Sequence, residues 1–194
     1  MLRIAVRLDP GLLERGELLA EAGALEAAGV DTLWMPESAA GLDGAVLLAG
    51  LAGAIRDVRL GLQLTEQAPG WRERARTLQA LTRGRLLLSV TEDPPADPPA
   101  PLLIEGPGGE PSGRIHNAEL GGEKIAARVE AETGLEHWLL GAGSHGRVAW
   151  RELREMALAA GATGVIVPHH PALLDLLRNP DQEDDRSDLQ MATG

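Results

Sequence analysis

Two stretches of the sequence put polar pairs directly behind a proline that ends an apolar run. GVDTLWMPES delivers Glu37 and Ser38 after Pro36, and GATGVIVPHH delivers His169 and His170 after Pro168. A carboxylate, a hydroxyl and an imidazole can all move protons at neutral pH, so Glu37, Ser38, His169 and His170 are the candidate catalytic residues. Adjacent histidines after a strand point in different directions, so at most one of the pair faces a pocket. Carboxylate and imidazole together also suit a divalent cation, and His169 or His170 with Glu37 and Glu105 is a second use of the same groups. No local spacing here is a recognised metal motif. A third feature, GAGSHGR at 141 to 147, is a glycine-rich turn entering a helix. Gly141, Gly143, Ser144, His145 and Arg147 are candidates to hold an anion with backbone N–H groups at a helix N-terminus. The turn lacks the Lys-Ser/Thr ending of a phosphate loop and the full dinucleotide-binding spacing.

These residues need strands and helices to bring them together. LRIAVRL reads as a strand, and Asp9-Pro10 as a helix start with Asp9 as N-cap and Pro10 in the first turn. Apolar residues from Leu12 to Ala28 recur at helical spacing, and Gly29 closes that helix. The alternation continues through strands at Thr32 to Met35, Val58 to Leu64 and Arg85 to Val90, with helices from Gly44 and from Trp71 between them. After the loop TEDPPADPPAP, a strand is expected at Leu102 to Ile104, a helix over GGEKIAARVEAETG, a strand at His137 to Leu140, a helix from Val148, a strand at Gly164 to Val167 and a last helix from Pro171. Strands joined by helices run parallel, and strands apolar on both faces belong to a covered sheet. The expected fold is α/β, a TIM-barrel-like (β/α) barrel shortened to about seven strand-helix units, with a doubly wound open sheet as runner-up. Residues 1 to 179 read as one barrel domain and the acidic residues 180 to 194 as a flexible tail.

In a parallel α/β fold the C-terminal strand ends share one face, where ligands bind. Reading the position behind each strand gives Asp9, Glu37 and Ser38, Thr65 and Glu66, Thr91 and Glu92, Glu105, Ser144 and His145, and His169 and His170. Taken singly, each also has a bland explanation as a helix cap or a solvated loop residue.

Composition narrows the partners. A net charge of −11 over 194 residues, with no basic stripe, argues against nucleic acid. Cysteine is absent, no secretion signal opens the chain and no apolar run reaches membrane-spanning length. The expectation is a cytoplasmic protein acting on a small molecule.

EAAGVDTLWMPES, DGAVLLAGLAGAIRDVRLGLQL, RERARTLQALTRGRLLLSV and LREMALAAGATGVIVPHHPALLDLLRN resemble, in that order, segments of the bacterial luciferase-like family of flavin- or deazaflavin-dependent monooxygenases and oxidoreductases. The likeness spans about the first ninety residues and the last forty. It implies a barrel that binds reduced flavin (FMN) or deazaflavin in its mouth, often as a homodimer. On that reading Ser38, Glu37 and Thr65 line the ring, and Gly141, Gly143, Ser144 and Arg147 hold phosphate. The chain departs from the family in its shortened middle, in SVTEDPPADPP where a Gly-x-Gly turn usually follows the fourth strand, and in Ser38 where histidine often stands. These departures keep two alternatives open: a degenerate, non-catalytic flavin-binding or subunit-partner barrel, and the metal-dependent enzyme.

Overall fold

The computed structural model describes residues 2–9, 11–14, 16–39, 41–64, 69–90, 99–100, 102–105, 119–120, 123–124, 127–131, 134–141 and 146–180. In chain order these form β1 (Arg3–Arg7), α1 (Gly11–Glu14), α2 (Leu18–Ala27), β2 (Thr32–Pro36), β3 (Ser38–Ala39), β4 (Leu42–Asp43), α3 (Gly44–Ala54), β5 (Arg59–Leu64), α4 (Trp71–Leu81) and β6 (Leu86–Val90). There follow β7 (Leu102–Glu105), β8 (Glu119–Leu120), β9 (Glu123–Lys124), β10 (Ala127–Ala131), β11 (Gly134–Leu140), α5 (Arg147–Ala159), β12 (Gly164–Pro168) and α6 (Leu173–Arg178). Of the expected tail, residues 180 to 194, all but Pro180 lie outside the described residues.

Local signals account for many of the boundaries. The Asp9 carboxylate accepts the Gly11 N–H at 3.0 Å, which opens α1. Gly29, Gly84 and Gly161 take left-handed φ values of 82°, 82° and 69° just beyond α2, α4 and α5. The single helix expected across 12 to 28 is broken in two at Gly16, which also has a positive φ.

The parallel strands follow the order β11-β12-β1-β2-β5-β6-β7 and curl, with helices on the outside. The expected seven-unit TIM-barrel-like fold is wrong in this respect. Among its described residues GGEKIAARVEAETG has no helix; it contains β9 and β10, and Gly134 begins β11 instead of ending a helix. β10 runs antiparallel to both β7 and β11 and bridges the two edges of the parallel sheet. Parallel barrels are built by repeating a strand and a crossover helix, and that repeat fails between β7 and β11. The cause lies in backbone hydrogen bonding: an alanine- and glutamate-rich stretch that favours helix in isolation pairs instead with two open edges whose N–H and C=O groups need partners. β10 thereby closes the sheet between β7 and β11.

Pleat alternation sorts the side chains into two layers. One face of the parallel strands packs against the helices and holds most of the core, with Leu33, Met35, Leu60, Leu88 and Val165 against Leu25, Leu48 and Trp150. The other face encloses a separate cluster of Ala5, Trp34, Leu87, Trp138 and Ile166. The two indoles fit because glycine stands opposite each: a Cβ on Gly61 would lie 2.2 Å from the Trp34 ring, and one on Gly164 would lie 2.4 Å from that of Trp138. Among the described residues, no helix is long and apolar enough to cross a membrane.

Candidate functional site

The C-terminal strand ends do share one face. Glu37 and His169 sit behind β2 and β12 on either side of β1, and the His169 N–H donates to the Arg7 carbonyl at 2.7 Å. Their side chains, however, turn away from the enclosed face. Trp34 points inward, so Met35 and Glu37 point outward; Ile166 points inward, so Val167 and His169 point outward. Arg74 of α4 donates to the Glu37 Oε1 at 3.2 Å, and His169 Nε2 lies 3.0 Å from the Glu21 carboxylate of α2. Both candidate catalytic groups therefore tie strand ends to the helix layer. Ser38 is exposed in the β3–β4 hairpin, paired with Asp43, whose carboxylate caps α3 at the Ala45 N–H. His170 is half-buried, and its carbonyl accepts the Leu173 N–H at the start of α6.

The glycine-rich turn is described only at its ends. Gly143, Ser144 and His145 lie outside the described residues, as does Thr65. At Gly141 a Cβ would meet the Leu153 Cδ2 at 2.8 Å, so glycine is needed there for packing of β11 against α5. Arg147 donates to the Asp175 carboxylate at 2.6 Å and to the Asn179 carbonyl at 3.4 Å, which ties α5 to α6. The guanidinium expected to hold phosphate is engaged by a carboxylate.

Alternation identifies different residues on the enclosed face at this end. Arg7 lies two positions beyond Ala5, Gln63 two beyond Gly61 and Ser89 two beyond Leu87, so all three point inward. Gln63 and Ser89 are partners across β5 and β6, and Ser89 is fully buried. Beneath them the indoles of Trp34 and Trp138, with Leu87 and Ile166, make an apolar floor. The sequence carried a signal for these positions, a polar residue breaking an apolar strand in RLGLQL and LLLSV, which reading only the residues behind each strand passed over.

The opposite, N-terminal end of the sheet holds the densest charge network. Glu136, 4% exposed, accepts from Arg3, from Arg59 at 3.1 Å and from the Trp138 indole N–H at 3.1 Å. Arg59 also pairs with Asp31 and lies 5.7 Å above the Trp138 ring. A cavity of about 830 Å³ opens beside this network. On its rim the Glu26 carboxylate accepts the N–H groups of Arg56 and Asp57 at 2.8 Å each. Desolvation opposes ionisation of Glu26, but the N–H groups of Asp57, Arg56 and Val58, with the nearby Arg85 guanidinium, together hold its pKa below the usual carboxylate range.

The metal reading required His169 or His170 to meet Glu37 and Glu105. Among the described residues, no three of His, Cys, Asp and Glu gather closely enough to hold a metal ion; the Glu105 side chain is outside that set. Compared with known proteins, the chain matches no protein family and no curated protein.

Proposed function

We propose that the C-terminal mouth of the curled sheet binds reduced FMN or a deazaflavin, and that the chain is a divergent luciferase-like oxidoreductase acting on a small molecule. The observation that carries this reading is the inward set of Arg7, Gln63 and Ser89 above the floor of Trp34, Trp138, Leu87 and Ile166. A flat heteroaromatic ring with a polar edge needs apolar area to lie against and a few donors and acceptors to orient it; Trp34, Trp138, Leu87 and Ile166 are only 1–3% exposed, so the ring must part these side chains to reach that area. Gln63 carries an amide, Ser89 a hydroxyl and Arg7 a cation, the kinds of group that orient the polar edge of such a ring. The cofactor, when bound, supplies the redox chemistry, and the protein contributes placement and electrostatics. The absence of cysteine fits a cytoplasmic setting.

One observation favours the non-catalytic alternative. Glu37 and His169, the best-placed acid–base groups, are each paired with a helix residue. A site that binds the cofactor without turning over substrate would need neither.

Titration of the purified protein with FMN and with a deazaflavin, read by absorbance and by quenching of cofactor fluorescence, tests the site. Saturable binding is expected for one of them, weakened about tenfold by Gln63→Leu and by Arg7→Met. No binding of either cofactor by the unaltered chain would end this reading. Binding without oxygen consumption in the presence of reduced cofactor and candidate substrates would select the non-catalytic form.

A further inference from the structure

The cavity at the N-terminal end of the sheet lies at the opposite end from the mouth, and of its lining only Leu87 belongs to the function proposed above. Its charged lining is balanced, with four arginines and four carboxylates. Most of these groups satisfy one another. Arg3, Arg59, Asp31 and Glu136 form the network already described. Glu26 accepts backbone N–H groups, and Arg85 donates to the carbonyls of Val58, Ile55 and Thr82. Two groups remain. Among the described residues lining the cavity, Arg83 and Asp57 are the charged side chains with no hydrogen bond or ion pair.

Arg83 is also the one described non-glycine residue with a positive φ, 55°. It stands just past the end of α4, where glycine or asparagine adopts the left-handed conformation at least cost and where Gly84 follows with the same sign of φ. An arginine at such a position contributes nothing to the local turn that glycine would not. Backbone strain retained at a cavity rim points from geometry towards function.

We infer that this cavity is a second ligand site, selective for a small zwitterion that places its anionic group on Arg83 and its cationic group on Asp57. Both side chains are exposed to solvent and lack a protein partner, and their charges have opposite signs, so a purely anionic ligand meets Asp57 unfavourably and a purely cationic one meets Arg83. Free amino acids and short peptides are the simplest ligands with this charge pattern. The volume of about 830 Å³ is in the range of small-molecule sites.

The test uses the full chain without added flavin, so that it is independent of the mouth. Calorimetric titration with glycylglycine and with a panel of free amino acids is expected to give saturable binding for at least one, with acetate and methylammonium as single-charge controls. Arg83→Gly should weaken that binding about tenfold or more while raising the melting temperature, because it removes the guanidinium and relieves the backbone together. Asp57→Asn should weaken it to a similar degree. The inference is overturned if no zwitterion in the panel saturates the protein below about 10 mM, if acetate binds as well as the zwitterions, or if Arg83→Gly leaves affinity unchanged.

Discussion

At the scale of single residues, the enclosed face of the sheet depends on glycines that leave room for rings. Gly61 allows no Cβ, since one would lie within 2.6 Å of three atoms of the Trp34 ring. Overpacking of this kind typically costs 1–3 kcal/mol, so Gly61→Ala is expected to lower unfolding stability by roughly 2 kcal/mol in urea denaturation. An unchanged midpoint would show that Trp34 can move aside. Glu136 is a different case. It is buried, accepts from Arg3, Arg59 and Trp138, and its removal leaves two guanidinium groups short of a partner. Breaking a buried pair on one side costs about 3 kcal/mol or more, so Glu136→Gln should destabilise by about that amount, with the loss read by the same denaturation and by a change in Trp138 emission. Glu26 gives the pH dependence. Its folded pKa lies below the unfolded value, so its contribution is present above the unfolded carboxylate pKa and disappears as pH falls through the lower folded one. The stability difference between the unaltered chain and Glu26→Gln should therefore be full at neutral pH and shrink towards zero in acid. A difference that persists at the acidic limit would mean that the bonds to Arg56 and Asp57 do not depend on the charge.

At the scale of elements, β10 decides how the chain closes on itself. It pairs with β7 through Ala127, Arg128 and Val129 and with β11 through Ala127 to Ala131, so it is an interior strand with ladder bonds on both sides. Proline removes a backbone donor and is excluded from the middle of a sheet. Val129→Pro is expected to destabilise by more than about 1 kcal/mol and to expose the β7 and β11 edges, measured by faster amide exchange in Leu139 and Leu103. Equal exchange in both forms would mean that β10 is dispensable. The misreading of this element has a specific cause. ARVEA alternates apolar and charged residues with a period of two, yet alanine and glutamate dominate the segment and carry helix propensity. Propensity is a local quantity, and the two open strand edges that decide the outcome are remote in sequence. By contrast, the helix expected from Trp71 is found, running to Leu81, because its amphipathic spacing and the glycines beyond both ends agree with its packing.

At the scale of the whole molecule, the two ends of the curled sheet do different work. The C-terminal end carries Arg7, Gln63 and Ser89 over an aromatic floor, and the N-terminal end carries the Glu136 network and the cavity. The floor of Trp34 and Trp138 separates them, so the two proposed sites should act independently: Gln63→Leu should leave zwitterion affinity unchanged, and Arg83→Gly should leave flavin affinity unchanged, within error of calorimetric titration. Coupling between them would require the indole floor to move.

The sequence by itself determined the α/β alternation, most strand and helix positions, the turn glycines at 29, 84 and 161, and the polar character of the strand ends, because each of these rests on spacing, capping or backbone conformation within a few residues. Which strand-end side chains face inward was legible in principle from strand alternation, but only once one inward residue such as Trp34 was known. The rest required the tertiary structure. Glu37 meets Arg74, His169 meets Glu21, Arg147 meets Asp175 and Glu136 meets Arg3 and Arg59 across separations of 28 to 148 positions. Partners that distant are selected by how the sheet curls and which edge β10 joins, and no local pattern encodes either.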